Sequence, residues 1–321
     1  MDAYPPISLK ELMDTDYPEQ TWLIDKLIPA SAITILSAEP GSYKTYMLLE
    51  TAVKVATGEP LFSEFATQKV GTLLLDEENG LPLLQQRLKE LKAPKDLPIY
   101  FYSYEGFTLD EEYVDRIILE CKTHDIKLLM IDSLVRVHGA DENTAQDMAA
   151  VFKQLRRFAG QGITVLITHH NRKPGANKGG SRHEMRGSSD ILAAVDCHIA
   201  LRRDGDFVTV EQTKQRYAKE LSAFDVQVVD ESEDFVFKYL GSNQDTKDRI
   251  LREAITELLE EHGELLQKEL RDKLKKSGND VNPRTLSKAL KAMNGDGIVT
   301  QGKGKGNSKP YSLAPLSEPQ P

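Results

Sequence analysis

The sequence predicts an α/β protein with a mostly parallel sheet covered by helices on both faces, followed by a small domain of helices and a hairpin. Short apolar runs of strand length recur along the first two thirds of the chain, and amphipathic helical patterns separate several of them. A Pro/Gly turn joins the first run directly to a helix. The 321 residues leave room for one large domain and one small one.

The expected strands are short and mostly apolar, as in a sheet that is buried on both faces. They cover residues 32–37, 70–75, 99–104, 128–131, 163–168, 198–201 and 207–212. The expected helices cover residues 45–57, 81–91, 111–124 and 144–159. No helical pattern separates the last two strands, so we expect an antiparallel hairpin at one edge of the sheet.

The pattern changes near residue 241. Three helices are expected at 249–262, 267–277 and 283–294, followed by strands at 297–301 and 310–313 around a Gly/Lys turn. Three helices and a hairpin follow the plan of a winged helix-turn-helix. We therefore expect a lead-in over 1–19, the α/β domain over 20–241, a linker over 242–246, a winged-helix domain over 247–313 and a disordered tail over 314–321.

Composition excludes several classes of protein. With 40% hydrophobic and 28% charged residues the chain has an ordinary globular composition. No apolar run approaches the ~20 residues of a membrane helix, and the first residues lack a secretory apolar region. Cys121 and Cys197 lie far apart within apolar patterns. We therefore expect a cytoplasmic protein without membrane contact, disulfide or cysteine-bound metal.

Charge is distributed unevenly along the chain. The net charge of −9 argues against a protein that coats nucleic acid with its whole surface. Residues 273–309, however, carry nine lysines and arginines against two acidic residues. A locally basic tail on an acidic body indicates nucleic acid as a partner, and a solvated lysine-rich surface is the alternative.

The turn after the first strand is the strongest local motif. Ser37-Ala-Glu-Pro-Gly-Ser-Tyr-Lys-Thr45 joins a strand to a helix, the context of a P-loop, whose backbone N–H groups cradle phosphates. Lys44 would reach the β/γ-phosphates of ATP and Thr45 would ligate Mg²⁺. The motif is irregular, because Ala38 and Tyr43 replace its two glycines, and a Lys-Thr pair capping an ordinary helix is the alternative. The expected nucleotide-binding residues are Glu39, Pro40, Gly41, Ser42, Tyr43, Lys44, Thr45 and Tyr46.

Polar groups also end three later strands. Leu73-Leu-Leu-Asp-Glu-Glu-Asn79 ends one with carboxylates, Asp132 ends the next, and His169-His170 ends a third. Asp132 is placed to bind Mg²⁺ through its water shell, although the N-cap of a following helix is an equal interpretation of this residue alone. Functional groups at the carboxyl ends of adjacent parallel strands follow the general rule for such sheets. Together these motifs predict an ATPase that uses ATP and Mg²⁺.

The order of the motifs resembles a known family, the RepA-type helicase-like ATPases of plasmids, phages and mobile elements, which are relatives of the replicative helicase DnaB. The resemblance rests on the P-loop and on further segments over about residues 20–240. These are Trp22-Leu-Ile-Asp-Lys-Leu-Ile-Pro-Ala, Ala56-Thr-Gly-Glu-Pro-Leu-Phe62, Asp76-Glu-Glu-Asn79, Asp132-Ser133, Thr168-His-His-Asn-Arg172, Met185-Arg-Gly-Ser-Ser-Asp-Ile191, Val195-Asp196 and Thr213-Lys-Gln-Arg216. It implies a RecA-like three-layer fold.

The resemblance also implies catalytic roles. Glu77 matches the catalytic glutamate, with Glu78 as the second choice. Asp132 matches the Walker B aspartate, and His169 matches the polar γ-phosphate sensor, with His170 adjacent.

A Lys-x-Arg pair is implied as well. Lys214 and Arg216 match the pair that DnaB-type ATPases insert into the neighbouring subunit's site, where an arginine stabilises transition-state charge. Exposed charges on an edge strand are the alternative. An arginine that acts on a neighbour requires a homo-oligomer, and the family implies a hexamer.

Two segments are candidates for DNA binding. The Gly-rich segment 171–183 carries Arg172, Lys173, Lys178 and Arg182 and, by resemblance, faces single-stranded DNA in the ring; a plain mobile surface loop is the alternative. In the tail domain a helix in the major groove with a basic wing is the usual arrangement, although many winged helices bind protein. The candidates there are Arg284, Lys288, Lys303 and Lys305.

Two functions fit these features. The first is an ATP-driven DNA motor, a helicase or replication protein acting on single strands. The second is a replication initiator or regulator that uses ATP to switch its assembly on DNA. A kinase or a structural filament fits less well, because the basic tail would then have no role.

Overall fold

The computed structural model describes residues 6–142, 144–171, 189–231, 234–302 and 310–314. The chain divides into two compact units, Met1–Tyr239 and Leu240–Pro321. Within the described ranges, each helix is too short or too polar to span a bilayer.

The first unit alternates strands and helices. Its helices are α1 (Leu9–Asp14), α2 (Lys44–Thr57), α3 (Leu81–Glu90), α4 (Glu111–Thr123), α5 (Ala145–Ala159) and α6 (Ser189–Ala194). Its strands are β1 (Trp22–Ile24), β2 (Ile28–Pro29), β3 (Ile33–Ala38), β4 (Gly71–Asp76), β5 (Ile99–Ser103), β6 (Ile126–Asp132), β7 (Thr164–His170), β8 (Cys197–Asp204), β9 (Phe207–Gln215), β10 (Phe224–Glu231) and β11 (Asp234–Ser242).

Nine of these strands form one central sheet in the order β11-β10-β9-β8-β3-β7-β6-β4-β5. The strands from β8 to β5 pair in parallel through β3, β7, β6 and β4. The predicted α/β fold with a mostly parallel sheet is confirmed.

The prediction of an edge hairpin was wrong in its position. β8 and β9 do form an antiparallel hairpin, but β10 and β11 continue the sheet beyond β9. Successive side chains of these two strands point to opposite faces of the sheet, with Phe224, Val226, Phe235 and Phe237 in the core. β10 carries three acidic residues, Asp225, Asp230 and Glu231, which interrupt its apolar pattern, whereas β11 carries one, Asp234.

Helices cover the sheet on both faces, which gives three layers. Met47 and Leu48 of α2 and Leu84 of α3 join one hydrophobic cluster. Val114 of α4 and Phe152 of α5 join a second cluster. β3 contributes to both, because successive side chains of a strand point to opposite faces: Ile35 lies in the second cluster and Leu36 in the first.

The strand register brings the polar strand ends together. Ala38 at the end of β3 pairs with His170 on β7, and Asp76 at the end of β4 pairs with Asp132 on β6. Since β7 and β6 are themselves neighbours, the carboxyl ends of four strands meet along one edge. We call this edge, with the P-loop residues 37–45 that leave it, the polar edge.

The second unit contains three helices and a small antiparallel sheet. The helices are α7 (Asn243–His262), α8 (Gln267–Lys276) and α9 (Pro283–Gly295), and the strands are β12 (Leu265–Leu266), β13 (Val299–Gln301) and β14 (Pro310–Leu313), in the order β12-β14-β13. Apolar residues from all three helices form its core, among them Ile255, Leu270 and Leu290. Ser242 is the last residue of β11, and its side chain caps α7 by accepting the Asp245 N–H. The linker expected over 242–246 stays a prediction.

Candidate nucleotide site and basic cleft

The P-loop turn leaves β3 at Ala38 and enters α2 at Lys44. Two of its residues have left-handed backbone angles, Gly41 with φ +77° and Tyr43 with φ +61°. The ammonium of Lys44 donates to the carbonyls of Ala38 at 3.2 Å and Glu39 at 3.1 Å. The lysine is therefore folded over the turn, next to the phosphate cradle that the sequence predicted.

Lys44 is buried, and two carboxylates oppose the effect of that burial. Desolvation lowers the pKa of Lys44, while the charges of Asp132 and Glu78 act to raise it. Opposite charges favour the charged form, so both carboxylates help to keep the buried Lys44 a cation.

Thr45 and Asp132 form the second part of the site. The Thr45 hydroxyl donates to the Asp132 carboxylate at 2.9 Å, and Thr168 and Asn79 donate to the same carboxylate. Burial raises the pKa of Asp132, and its hydrogen bonds from Thr168 and Thr45 act in the opposite direction.

This donor set fits magnesium. Mg²⁺ prefers hard oxygen ligands and is usually bound through one or two carboxylates together with phosphates, rather than in a cage of protein ligands. The hydroxyl of Thr45 beside the buried carboxylate of Asp132 matches that pattern. Consistent with it, no cluster of three or more acidic, histidine or cysteine ligands occurs among the described residues.

The two adjacent glutamates have different surroundings. The Glu77 carboxylate accepts the Phe107 backbone N–H at 3.1 Å. The Glu78 carboxylate instead accepts from the Ser133 hydroxyl and lies 3.1 Å from Nε2 of His170. Hydrogen bonding to His170 is the largest cause that lowers the pKa of Glu78 to about 2, so its carboxylate is ionised. Glu78, and not Glu77, is therefore the glutamate that is coupled electrostatically to Lys44 and Asp132.

The two adjacent histidines differ in the same way. Thr168 and His170 contact Asp132 and Glu78 respectively, and His169 lies between them on β7. Because side chains alternate along a strand, His169 points to the other face, where its Nδ1 lies 3.6 Å from Glu142. His170 thus belongs to the polar edge, while the sequence had favoured His169 as the sensor.

Lys214 and Arg216 have partners within the first unit. The Lys214 ammonium donates to the last carbonyls of α6, Leu192 at 2.7 Å and Ala193 at 2.9 Å. Arg216 lies 3.3 Å from the fully buried carboxylate of Asp196. Desolvation is the main cause that lowers the pKa of Lys214. Among the contacts of the described residues, neither side chain touches Lys44, Thr45 or Asp132.

Two residues of the polar edge were not singled out from the sequence. Asp76 is fully buried and accepts the backbone N–H of Glu78 at 3.0 Å, as in an Asx turn. Asn79 donates to both Asp76 and Asp132 and accepts from Arg87. The signal was present in the Asp-Glu-Glu-Asn run, because an aspartate at a strand end commonly bonds the backbone two residues later.

A second site lies in the second unit. A cleft of about 660 Å³ is lined by Gln267, Lys268, Arg271, Pro283, Arg284, Leu286, Ser287, Lys288 and Lys291. Two of the predicted DNA-binding residues, Arg284 and Lys288, lie in it. α8 adds Lys268 and Arg271, which sequence reasoning missed because they come from a different helix. We call this surface the basic cleft.

Six predicted DNA-binding residues lie outside the described part of the chain. They are Arg172, Lys173, Lys178 and Arg182 after β7, and Lys303 and Lys305 between β13 and β14.

Comparisons with known proteins bear on the first unit. Residues 5–176 match a family model described as an AAA domain. No curated protein matches the chain. The solved ATPase domain of G40P is similar with a TM-score of 0.52 and 14% sequence identity, over 64% of this chain and 84% of that one.

A DnaB-like replicative helicase, solved in a study of its interactions with primase, is similar with a TM-score of 0.54 and 16% identity. That match covers 71% of this chain and 66% of the helicase chain, just under two thirds. At these identities the likeness shows the fold alone. It is the fold of a helicase-type ATPase domain, in agreement with the predicted RecA-like fold.

Proposed function

The chain belongs to the AAA domain family, and from this premise we propose that it hydrolyses ATP with Mg²⁺ as a DNA-associated, DnaB-like ATPase. The observation that carries the proposal is the polar edge. There a buried lysine, a Thr–Asp pair and an ionised glutamate converge at the carboxyl ends of adjacent parallel strands.

Each residue of the polar edge has a role in this proposal. The backbone of residues 39–43 and the Lys44 ammonium hold the phosphates of ATP, and Thr45 and Asp132 hold Mg²⁺. When bound, Mg²⁺ neutralises charge on the β- and γ-phosphates. Glu78 orients the attacking water and accepts its proton, in place of the Glu77 favoured from the sequence. His170, at 3.1 Å from Glu78, links that carboxylate to the γ-phosphate position.

We further propose that Arg216 acts on the neighbouring subunit of a homo-oligomeric ring, a hexamer as the resemblance to DnaB implies. Its support is its position just beyond the end of β9, half-exposed and held by Asp196. In this proposal Lys214 assists Arg216, and Arg172, Lys173, Lys178 and Arg182 contact single-stranded DNA. The function is then a helicase or replication protein of a plasmid, phage or mobile element.

The basic cleft favours a second candidate function. In this second proposal the second unit is a winged helix, and its α9 contacts duplex DNA through Arg284 and Lys288. Lys303 and Lys305 are the residues expected on the wing. Asn282 caps α9 by accepting the Thr285 N–H at 2.9 Å, which fixes the start of this helix. A chain that binds duplex DNA in this way is suited to be a replication initiator or regulator that uses ATP to switch its assembly on DNA.

One experiment separates the two candidates. Strand separation on a forked duplex is measured beside ATP hydrolysis with and without single-stranded DNA, using the full chain. Hydrolysis that single strands stimulate, together with unwinding, supports the motor. Stimulated hydrolysis without unwinding, together with tight duplex binding, supports the switch. Absence of hydrolysis under all conditions contradicts both.

A further inference from the structure

The tyrosine of the P-loop occupies an unusual backbone conformation. Tyr43 has φ +61° and ψ 22° at the position directly before Lys44, where regular P-loops have glycine. A side chain in the left-handed region is strained, and such a conformation persists only where surrounding contacts over-determine it. The contacts of Tyr43 therefore identify what holds this P-loop in shape.

Arg203 makes the closest of these contacts. Its guanidinium carbon lies 4.3 Å from the centroid of the Tyr43 ring, within the range of a cation–π interaction. The same guanidinium donates to the Gly41 carbonyl at 3.0 Å. One side chain thus contacts both residues of the turn that have positive φ.

Two aromatic residues also contact the Tyr43 ring. The centroid of the Phe235 ring lies 5.5 Å from that of Tyr43, and the Tyr46 ring lies 6.1 Å away. Phe235 and Tyr46 themselves stack at 3.9 Å. The Tyr43 ring is therefore packed against Arg203 and an aromatic pair, and it adjoins the first hydrophobic cluster.

The strand register explains why Arg203 reaches the turn. β8 is the parallel neighbour of β3, and Leu201 pairs with Ala38, the last residue of β3. Arg203 lies two residues further along β8, level with the start of the P-loop. A second hydrogen bond, from its Nε to the Gly205 carbonyl at 2.9 Å, fixes the side chain against its own hairpin.

We propose that Arg203 is a positioning residue for nucleotide binding, which holds the P-loop in its phosphate-binding shape by fixing Tyr43 and the Gly41 carbonyl. Arginine suits this role because its planar fork donates a hydrogen bond and stacks on an aromatic face at once, which lysine does not do. The inference rests on the proposed function, in which this turn binds the phosphates of ATP.

Arg202 provides a matched control. It is the adjacent residue of β8, is also exposed and borders the same pocket beside the P-loop, but its guanidinium pairs with Glu211. Arg202→Ala therefore removes the same charge from the same pocket without removing a contact to the turn.

The first measurement is nucleotide binding and turnover in the full chain. MgADP affinity is measured by calorimetry, and KM and kcat for MgATP by steady-state hydrolysis. Arg203→Ala is expected to weaken MgADP binding and raise KM about ten-fold, with kcat changed less than about two-fold, since it loses one cation–π contact and one hydrogen bond. Arg203→Lys is expected to be intermediate, and Arg202→Ala to stay within about two-fold. Equal losses in the Arg202 and Arg203 variants would show a general charge effect and overturn the proposal.

A second background isolates Tyr43. Glycine adopts positive φ without strain, so Tyr43→Gly removes the need for the ring contacts. The loss caused by Arg203→Ala is expected to shrink to about three-fold or less in the Tyr43→Gly chain, leaving only the Gly41 hydrogen bond. An undiminished ten-fold loss in that background would contradict the role assigned to Tyr43.

Hydrogen–deuterium exchange of the nucleotide-free chain keeps this inference separate from the proposed function. Faster exchange of the peptide covering residues 38–48 is expected in Arg203→Ala and not in Arg202→Ala. If the wild-type chain does not bind MgADP but this difference is present, the proposed function is wrong, while the conclusion that Arg203 fixes the P-loop turn is supported. If MgADP binds and the difference is absent, the positioning role fails alone.

Discussion

The polar edge of the first unit and the basic cleft of the second both present positive charge, in opposite physical settings. Lys44 and Asp132 are 8% and 1% exposed, and each has hydrogen-bond partners inside the protein. In the basic cleft Lys268, Arg284 and Lys288 are exposed to solvent. The first set is organised by the protein itself, and the second is available to an external partner.

This difference sets the size of the expected effects. Removing one member of a buried charged group leaves the others uncompensated, so its loss is large. Exposed cations contribute small, roughly additive and salt-dependent contacts to a phosphate backbone. Substitutions in the two regions therefore test whether the comparison is right.

The largest effect is expected from Lys44→Ala, which should reduce ATP hydrolysis to background. Because the buried ammonium has no substitute within the turn, its loss should exceed the about 10²–10³ in rate that removal of a single electrostatic donor typically costs. The rate of ATP hydrolysis by the variant is measured at steady state. Lys54→Ala, at the other end of α2 and paired with Glu59 at 2.6 Å, is the control and should keep near-normal activity. A similar loss in both variants would indicate damage to α2 in place of a chemical role.

Arg216 lies between the two extremes, because its side chain is 48% exposed while its partner Asp196 is fully buried. Arg216→Ala is expected to lower hydrolysis by about 10³, the lower end of the range for arginines supplied to a neighbouring site, and to spare MgADP binding. Both are measured on the same preparation.

Mixing variants tests whether Arg216 acts on a neighbour. Lys44→Ala subunits retain Arg216, and Arg216→Ala subunits retain an intact P-loop. Mixed assemblies should therefore regain hydrolysis that neither variant has alone. No recovery on mixing, or full activity of wild-type protein in a strictly monomeric preparation, would rule out action in trans.

The two adjacent glutamates offer a comparison within the polar edge. Glu78→Gln is expected to lower kcat by about 10²–10³, as loss of a general base does, and Glu77→Gln by less than about ten-fold. The reason is that Glu78 faces Ser133 and His170 at the polar edge, whereas Glu77 is bonded to the Phe107 backbone. Comparison of kcat for the two variants shows which glutamate acts as the general base. A larger loss for Glu77→Gln would restore the assignment suggested by the sequence.

The glutamates also show where sequence reasoning reached its limit. The strands from β3 to β9, the P-loop turn and the Thr45–Asp132 pair followed from hydrophobic runs and motif order, since these depend on local pattern. The choice between Glu77 and Glu78 depends on the turn that Asp76 makes by accepting the Glu78 N–H. That turn is a tertiary detail, because it requires the fully buried position of Asp76.

The same limit applies to the histidines and to Arg203. His170 faces Glu78 and His169 faces Glu142, and which of the two belongs to the polar edge depends on how β7 packs beside β3 and β6. Arg203 reaches the P-loop through the pairing of β3 with β8, and a pairing between segments more than 160 residues apart leaves no local pattern. Acidic residues interrupt the apolar alternation of β10, where they are three of eight residues, but not that of β11, where only Asp234 is acidic.

The smallest effects are expected in the basic cleft. Lys288→Ala should weaken duplex-DNA binding only a few-fold, because an exposed lysine neutralises about one phosphate among several, and should reduce the slope of log affinity against log salt by about 1. Binding is measured by fluorescence anisotropy across a salt series. Lys247→Ala, exposed on α7 and outside the cleft, is the control and should leave the slope unchanged. Equal slopes for the wild type and Lys288→Ala would show that the basic cleft does not contact DNA. Complete loss of binding would show that Lys288 behaves like the buried charges of the polar edge, and this result would overturn the comparison.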